Sequence, residues 1–504
     1  MVSPQIYGRY DVVVVGGGAS GVAAGIAAAR AGARTIVIER LGALGGMVNI
    51  TGPPGWAFSH LWNNRGEEII AGFVKETHDK LEAMGCALPY PAPHERIFDS
   101  FALIDADWWG LLAFKYMQEL NVQLLLHTLA VDVVMEGNSV KGVVVENING
   151  RQIVFGKVVI DCTGEGDIAA RAGVPYIKAD RTKEELDPPS VGFYMDGVNW
   201  KRVTEYFKQN PDEFVRFPSK PVWETLNTPA AKARREKMIE ELKKCDTILD
   251  LVKRGILGYV TFYDLSEKAV KNGDIPPLGV DLGFFFSVKG PGPYIVPVFQ
   301  HSAQVPDCDT TDVRELSYAE MECRRQIIMA ANAVRKYIPG FENAYVSKVM
   351  MEVRTREGRH FIGDYMLTSD DVAAERKFPD VIGKSAMSTA IGGPFHSCRF
   401  PAESMNIDPN TKRVSPPTGG SYDIPYRCLV PKNVENLLLA GKLLSVSLDF
   451  KRDQLPENII TGQAAGVAAA VCAKRGITPR QLEDDVSEVQ QILIKQGAIL
   501  FGTH

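Results

Sequence analysis

Residues 12–15 form an unbroken run of valines, the pattern of a central parallel strand that is covered on both faces. After a turn, about a dozen Ala-rich residues have high helix propensity, and Gly32 breaks that stretch. A second apolar run then spans residues 35–38. The pattern therefore predicts a strand–turn–helix–strand unit over residues 10–40.

The turn of this unit carries the spacing G-x-G-x-x-G at Gly16, Gly18 and Gly21, and Glu39 closes the second strand. In such a unit the glycines permit a tight turn and close approach of a pyrophosphate, which binds at the helix N-terminus. The acidic residue accepts hydrogen bonds from ribose hydroxyls and would repel a 2′-phosphate. The unit predicts binding of FAD or NAD rather than NADP and leaves the first two open.

A second glycine-rich stretch, at residues 164–169, also follows an apolar strand and matches G-x-G-x-x-A. It is preceded by predicted helices over 67–84 and 105–120 and by a strand-rich stretch over 122–155 with turn residues between its strands. No crossover ending in an acidic residue follows it. We therefore interpret it as a strand that returns to the first sheet and closes the same nucleotide pocket.

The pattern changes between residues 188 and 344. Aromatic-rich strands are predicted at 283–286 and 294–299, and a long helix at 317–337 opens with the capping-box pattern of Ser317 and Glu320. We interpret this region as a domain that covers the substrate. The last third returns to the first domain with a buried strand at 436–440 and an Ala-rich helix at 456–473.

Composition narrows the class of protein. A chain of 504 residues exceeds a single core, and a net charge of −5 without a basic cluster gives no reason to expect nucleic acid binding. No apolar run approaches the roughly 20 residues of a membrane span, and the first strand starts too early to leave room for a signal peptide. The eight cysteines are scattered without C-x-x-C, so no metal site is expected. Reduced thiols in a cytoplasmic protein are the simplest expectation.

Together these motifs resemble those of the FAD-dependent oxidoreductases with a glutathione-reductase-type FAD domain, in particular the branch with fumarate-reductase-like and other bacterial members. The matching segments are GGGASG at 16–21, Glu39, LGG at 44–46, DCTGEGD at 161–167, VRTREGRHFIGDYMLTSDD at 353–371, YDIPYRCLVP at 422–431, NLLLAGKLLS at 436–445 and GQAAGVAAA at 462–470. The chain departs from the R-E-S-R-R that such families often carry, since Gly358 and His360 replace the serine and the last arginine.

The resemblance implies an α/β fold with a discontinuous, Rossmann-like FAD-binding domain that includes a β-meander, and an α+β substrate domain. The expected boundaries are 1–187 and 345–475 for the FAD-binding domain, 188–344 for the substrate domain and 476–504 for a C-terminal helix. The active-site segment is expected within 350–430.

The resemblance also implies a set of FAD-binding residues, from the pyrophosphate end to the flavin. These are Gly16, Gly18, Ala19, Ser20 and Gly21 for the pyrophosphate, Glu39 with Arg40 beside it for the adenosine ribose, Ala130 or Val131 for adenine, Thr163, Gly164 and Asp167 for the adenosine side, Gly441 for the ribityl or pyrophosphate, Gly45, Gly46 and Met47 for the isoalloxazine, and Gln463, Ala464 and Ala465 for its pyrimidine edge. FAD is expected to be noncovalent, because the PPGW segment before His60 departs from relatives with a histidyl linkage.

Candidate catalytic residues are histidines that can move a proton near neutral pH and arginines that can hold a carboxylate. They are His396, Arg399, His301, Arg354, His360 and Tyr294. His396 and Arg399 come first, because Gly392, Gly393 and Pro394 place them on a loop.

The expected reaction is hydride transfer between a small organic substrate and flavin N5, with an unidentified electron acceptor. A flavin-dependent monooxygenase and a non-redox FAD-containing lyase or isomerase remain as alternatives. The halogenase-type W-x-W-x-I-P pattern is missing from the sequence. A homo-oligomer is left open.

Overall fold

The computed structural model describes residues 5–52, 58, 61–90, 102–181, 186–211, 213–214, 229–277, 282–391, 412–450 and 455–502. Within these residues, seven strands form one sheet. They are β1 Gln5–Val15, β2 Thr35–Ile38, β3 Gln123–Leu125, β4 Leu129–Glu136, β5 Ser139–Asn147, β6 Gly150–Asp161 and β18 Leu437–Leu439. The strand order is β3-β2-β1-β6-β5-β4, and β18 also pairs with β6.

The valine run predicted as a central strand lies at the middle of this sheet. Val12 to Val15 pair in parallel with β2 on one side and with β6 on the other, and all four side chains are buried. β18 also pairs with β6 in parallel. The parallel core with a hairpin meander, β4 to β6, confirms the predicted α/β class.

Helix α1, Ala19–Arg30, lies directly against the long helix near the C-terminus, Leu455–Arg475. A Cβ on Gly462 would lie 2.2 Å from the carbonyl oxygen of Ser20, and one on Gly466 would lie 2.2 Å from that of Ala24. The two helix backbones therefore touch. The glycines of the GQAAG segment are required by this helix packing.

A second sheet of the described chain is antiparallel and has five strands. They are β8 Phe193–Asp196, β9 Tyr259–Val260, β10 Phe284–Lys289, β11 Tyr294–Phe299 and β12 Tyr345–Val349, in the order β12-β8-β11-β10-β9. Its core is aromatic, with Phe193 and Phe299 stacked at 4.9 Å between ring centroids. Because β12 pairs with β8, this sheet extends beyond residue 344. The division into domains stays a prediction.

The remaining elements connect or cover these sheets. The short strands are β7 Tyr176–Ile177, β13 His360–Phe361, β14 Val381–Ser385, β15 Thr389–Ile391, β16 Lys412–Val414 and β17 Tyr422–Pro425. The helices after α1 are α2 Phe73–Ala83, α3 Ala106–Glu119, α4 Asp167–Arg171, α5 Trp200–Gln209, α6 Pro229–Lys244, α7 Leu249–Lys253, α8 Tyr263–Lys271, α9 Val313–Tyr337, α10 Ser369–Ala373, α11 Leu455–Arg475 and α12 Ser487–Lys495. None of the described helices is both long and apolar enough to cross a membrane.

The start predicted for the long helix α9 is wrong. Its N-cap is Asp312, whose carboxylate accepts from the backbone N–H groups of Arg314 and Glu315 at 2.8 and 3.3 Å. Ser317 lies in the second turn, where its hydroxyl donates to the carbonyl of Val313 at 2.6 Å. The sequence Ser317 to Glu320 imitates a capping box, but a carboxylate five residues earlier already satisfies the free N–H groups.

Candidate functional site

The turn between β1 and α1 is fixed by two of its three motif glycines. Gly16 has a φ of +98°, and a Cβ there would lie 2.5 Å from the carbonyl oxygen of Cys162. A Cβ on Gly21 would lie 1.7 Å from the carbonyl oxygen of Gly16. The tight turn and the close packing of helix on strand therefore account for these two positions.

Gly18 differs from both. Its φ of −69° and ψ of −172° are open to any residue, and a Cβ there would come no closer than 3.9 Å to Gly46 Cα. Gly18 is also the N-cap of α1 and supplies no side-chain hydrogen bond to the first turn. Neither conformation nor packing requires glycine here. A bound pyrophosphate would require it, because its oxygens would take the place of a side chain and accept from the helix N–H groups. The turn fits the implied FAD.

Glu39 closes β2 beside this turn. Its carboxylate accepts from the N–H of Gly17 at 2.6 Å and from the N–H of Leu41 at 2.8 Å. Burial raises the pKa of this carboxyl, and the two backbone donors lower it by less. The adjacent Arg40 pairs with Glu352 across the surface. Glu39 therefore holds the loop in place with the same oxygens that could accept ribose hydroxyls.

The backbone next to Glu39 leads to Val131. The N–H of Thr128 donates to the carbonyl of Glu39 at 3.0 Å. In the pairing of β4 with β5 the register shifts between Ala130 and Asp132, so Val131 is the extra residue of a β-bulge. A bulge leaves one residue outside the ladder of hydrogen bonds. The backbone of such a residue is able to pair with adenine, as the resemblance implies.

The glycine-rich loop after β2 lies on the nucleotide turn. The N–H of Gly45 donates to the carbonyl of Gly17 at 2.9 Å, and a Cβ on Gly46 would lie 2.8 Å from Gly18 Cα. Met47 is half-buried in the short 3-10 turn that follows. Farther along, the carbonyl of Ile50 accepts from the N–H of Met351 at 2.9 Å. The loop thus connects the nucleotide turn to the segment after β12.

The DCTGEGD segment folds into a capped turn at the end of β6. The carboxylate of Asp161, fully buried, accepts from the N–H and hydroxyl of Thr163 at 3.0 and 2.8 Å, and burial raises its pKa. The Thr163 hydroxyl in turn accepts from the N–H of Gly166 at 3.0 Å. Gly164 has a φ of +87° and open space around it. The strand that leads into this turn lies in the first sheet, as predicted. The closure of the nucleotide pocket by this turn stays a prediction.

An ion pair that the sequence does not predict lies beside this turn. Lys442 Nζ is 2.6 Å from Glu165 Oε1 and also donates to Thr355 Oγ1 at 3.2 Å. A Cβ on Gly358 would lie 2.6 Å from Glu165 Oε2. The chain therefore has glycine at the position where the side chain of a serine would meet the Glu165 carboxylate. Next to it, Arg359 donates to Asp167 Oδ1 at 3.1 Å.

The three residues expected at the flavin's pyrimidine edge lie in the third turn of α11. The Gln463 amide oxygen accepts from the N–H of Phe73 at 3.3 Å, and its nitrogen donates to Gln496 at 3.0 Å. Ala464 and Ala465 are fully buried. The free N–H groups of a helix lie in its first turn, so that turn is better placed to face a flavin. Gly441 lies closer to the nucleotide turn, because a Cβ there would be 2.5 Å from Ser20 Oγ.

Two candidate catalytic residues lie toward opposite ends of β11. Tyr294 begins the strand and His301 follows its last residue, Phe299, and five steps along a strand cover about 17 Å. Phe299 and Val349 both pair with Phe193, so the Phe299 end of β11 lies beside the end of β12. The segment after β12 contacts the glycine-rich loop after β2 through Met351 and Ile50, and we call this loop, for which a flavin contact is predicted, the flavin loop. Tyr294 is half-exposed, and burial together with its hydrogen bond to Asp196 raises its pKa to about 12. The length of the strand therefore separates these two candidates, and both stay predictions.

A row of buried polar residues lies at the His301 end. Arg354 and Ser190 exchange backbone hydrogen bonds of 2.7 and 3.2 Å, and both are buried. The Gln300 amide donates to the Ser190 hydroxyl at 2.9 Å. Gln304 is buried as well. Ser190, Gln300 and Gln304 are not among the predicted site residues, although alternating polar residues directly after an apolar strand are a signal in the sequence.

His360 is held between two acceptors. Its Nδ1 is 3.2 Å from the carbonyl of Val446 and its Nε2 is 2.6 Å from Glu357 Oε1. The Val446 contact joins β13 to the segment after β18, and the two contacts together fix the orientation of the His360 ring. His396, Arg399 and His60 lie outside the described residues.

A family model described as FAD dependent oxidoreductase matches residues 11–493. The chain belongs to this family. It is a flavoenzyme with FAD as its cofactor. None of the curated proteins compared with the chain matches it.

Several solved structures are similar to this FAD-dependent oxidoreductase at low identity. The myxobacterial chondrochloren halogenase CndH, an FAD-dependent halogenase, is 10% identical, with 99% of this chain and 84% of that chain covered and a TM-score of 0.46. The p-nitrophenol 4-monooxygenase PnpA from Pseudomonas putida DLL-E4 is 10% identical, with 99% and 90% covered and a TM-score of 0.43. A geranylgeranyl bacteriochlorophyll reductase-like protein from Thermoplasma acidophilum is 12% identical, with 97% and 84% covered and a TM-score of 0.43. Similarity at this level carries no argument about the reaction.

Proposed function

We propose that this oxidoreductase transfers a hydride between a small organic substrate and noncovalently bound FAD. The FAD-binding part of this proposal is supported by Gly18, a glycine required neither by its backbone conformation nor by its neighbours, with the Glu39 carboxylate beside the same turn. The substrate part is supported by the buried Arg354 next to the second sheet and the partly accessible His301 after β11. When bound, FAD supplies the hydride chemistry at N5, and the protein supplies orientation and proton movement.

The nucleotide half of FAD would be held by backbone more than by side chains. The first turn of α1, with Ala19 and Ser20, would donate to the pyrophosphate, and Glu39 would accept from the ribose. Val131 at the bulge would pair its backbone with adenine. Thr163 is already hydrogen-bonded to Asp161, so in this proposal it shapes the turn that Gly164 presents to the adenosine side.

The substrate would lie between the flavin loop and the second sheet. Arg354 is buried at this boundary, and a guanidinium there can bind a carboxylate through two parallel hydrogen bonds. His301 packs edge-on against Phe285 at 5.2 Å between ring centroids and is partly accessible. In this proposal it takes the proton of a substrate hydroxyl, or returns it in the reverse direction. His396 and Arg399 remain sequence-based candidates for the same tasks.

The second sheet would exclude water from the reacting atoms. The aromatic cluster around Phe284, Phe286 and Phe299 is fully buried and forms a rigid apolar wall behind the polar row of Ser190 and Gln300. In such surroundings a single charged contact to the substrate is stronger than in water.

The test starts from the purified protein under anaerobic conditions. We expect one FAD per chain, released by acid denaturation, and bleaching of the oxidised flavin band by one member of a panel of small hydroxy acids, alcohols and amines. Rapid bleaching by NADH or NADPH alone would favour a monooxygenase. If no panel member bleaches the flavin and candidate products fail to reoxidise it, hydride transfer to these substrate classes is wrong.

A further inference from the structure

Helix α2 presents a histidine and two carboxylates to one another. His78 Nδ1 is 3.9 Å from Asp79 Oδ1 and 3.7 Å from Glu82 Oε2, and the three ligand atoms lie within 4.8 Å of one another. His78 and Glu82 are four residues apart and so share one face of the helix. This arrangement is separate from the residues that the proposed FAD site uses.

The other ring nitrogen of His78 decides the tautomer. Nε2 is 3.1 Å from the carbonyl oxygen of Leu88, which can only accept, so Nε2 carries the proton. His78 is fully buried, which disfavours a charged ring. Nδ1 therefore offers a lone pair, and it has no hydrogen-bond partner among the described residues.

A lone pair that faces two carboxylates is an arrangement of three acceptors. These three acceptors could be shared by one cation, which would be either a proton on the buried ring or a metal ion. Lys75 contacts Asp79 from the previous turn at 2.9 and 2.6 Å, which offsets the charge of one carboxylate only. Histidine ligands of metals characteristically donate their other ring nitrogen to a backbone carbonyl, as His78 does to Leu88.

We propose that His78, Asp79 and Glu82 form a binding site for a divalent metal ion of the zinc class, with His78 coordinating through Nδ1. Zinc binds nitrogen and carboxylate oxygen at about 2.0–2.2 Å, so neighbouring ligands of a tetrahedral site lie about 3.4 Å apart. The observed separations of 3.7 and 3.9 Å need only a small closure. The side chains of Asp79 and Glu82 are 50% and 40% exposed and are free to rotate.

The ion would have three protein ligands and a position open to water. All three ligands lie on α2, so the ion would stabilise this helix and hold the His78 ring in the orientation that contacts Leu88 and the Tyr90 ring, 4.9 Å away between centroids. The start of α2 in turn contacts α11 through Phe73 and Gln463. A structural role is therefore expected, with a rise in thermal stability when the ion binds.

The experiment uses the full FAD-loaded chain after chelator treatment. Zinc chloride is titrated by calorimetry, and cobalt chloride is titrated by its visible absorption. We expect one site per chain, and X-ray absorption of the zinc form should show an imidazole among nitrogen and oxygen ligands. Glu82→Gln should weaken zinc binding at least about tenfold, because it removes one ligand from an exposed position without disturbing the core.

Two further variants sharpen the test. Glu119→Gln removes a carboxylate of similar exposure, 52%, on the neighbouring helix α3 and should leave zinc affinity unchanged. Lys75→Met should tighten binding, because it removes the ammonium that competes for Asp79. Equal zinc affinity in the wild type and Glu82→Gln, or no saturable binding at all, overturns the proposal while leaving the proposed flavin function untouched.

Discussion

Gly18 and Gly21 lie three residues apart in one turn, but contacts within the described protein require glycine at position 21 and not at position 18. Gly21 is fixed by its own protein, because a Cβ would collide with the carbonyl of Gly16 at 1.7 Å. Gly18 has no such neighbour. A sequence motif alone gives the two glycines equal weight, whereas the structure gives a packing reason for Gly21 and none for Gly18.

This difference predicts opposite effects of two alanine variants. Gly18→Ala should weaken FAD binding by about tenfold or more, roughly 1.4 kcal/mol, while the stability of the FAD-free protein changes by less than about 0.5 kcal/mol. Gly21→Ala should destabilise the FAD-free protein itself. Denaturant unfolding and FAD fluorescence titration measure the two effects. Equal FAD affinity in Gly18→Ala and wild type would contradict the assigned role.

Glu39 predicts how FAD affinity depends on pH. Burial raises its pKa above the ordinary 4.5, so the FAD-free protein takes up a proton there at a higher pH than an ordinary glutamate does. Ribose hydroxyls donate to the ionised carboxylate, so FAD binding must expel that proton. Affinity should therefore fall as the pH drops toward the raised pKa and level off above it.

The measurement is FAD titration at about pH 5 and about pH 7.5, with Glu39→Gln as the comparison. The variant should bind more weakly at the higher pH and show a flatter dependence. If the wild type and the variant lose affinity in parallel as the pH falls, another group is responsible.

At the scale of elements, the contact between α1 and α11 changes the interpretation of the GQAAG segment. The sequence resemblance associates it with the flavin, but a Cβ on Gly462 or Gly466 would lie 2.2 Å from a carbonyl oxygen of α1. Backbone atoms cannot move aside as a flexible side chain can. The segment therefore determines how closely the two helices approach.

We expect Gly466→Ala to destabilise the protein by about 1–3 kcal/mol, the range for overpacking of a tight interior. FAD affinity of the folded fraction should stay close to that of the wild type. Lys474→Ala, an exposed position on the same helix, is the control and should change stability by less than about 0.5 kcal/mol. Loss of FAD affinity without loss of stability in Gly466→Ala would restore the flavin role.

At the scale of the whole molecule, the second sheet decides which candidate residues can meet one substrate. Tyr294 and His301 lie toward opposite ends of β11, and the flavin loop contacts the segment after β12 through Ile50 and Met351. The His301 end of the sheet borders that segment through Ser190 and Arg354. One strand thus separates a residue at the proposed site from one remote from it.

Once a substrate is found, His301→Gln should slow its anaerobic reduction of the flavin by about a hundredfold or more, the usual effect of removing a general base or acid. Tyr294→Phe should leave the rate unchanged and serves as the matched control from the same strand. Stopped-flow absorbance of the flavin gives both rates. A slow Tyr294→Phe variant with a normal His301→Gln variant would reverse the assignment.

Local patterns of the sequence determined the first sheet and its nucleotide turn. Four valines, an Ala-rich helix and Gly16, Gly18 and Gly21 all act within residues 10–40, where neighbours in sequence are neighbours in space. The N-cap at Asp312 was harder to predict, because Ser317 offers a competing capping pattern and only the structure shows which side chain accepts from the free N–H groups. The β-bulge at Val131 was harder to predict as well, because it depends on the pairing with β5.

Only the tertiary structure decided the contacts between distant segments. The pairing of Glu165 with Lys442 joins residues 277 positions apart, and the Glu165 carboxylate lies against Gly358. Likewise, His78, Asp79 and Glu82 are close together in the sequence, within a stretch for which the sequence predicts only a helix. The fold buries the His78 ring, and the carbonyl of Leu88 fixes its proton, so packing and not composition leaves a lone pair facing two carboxylates.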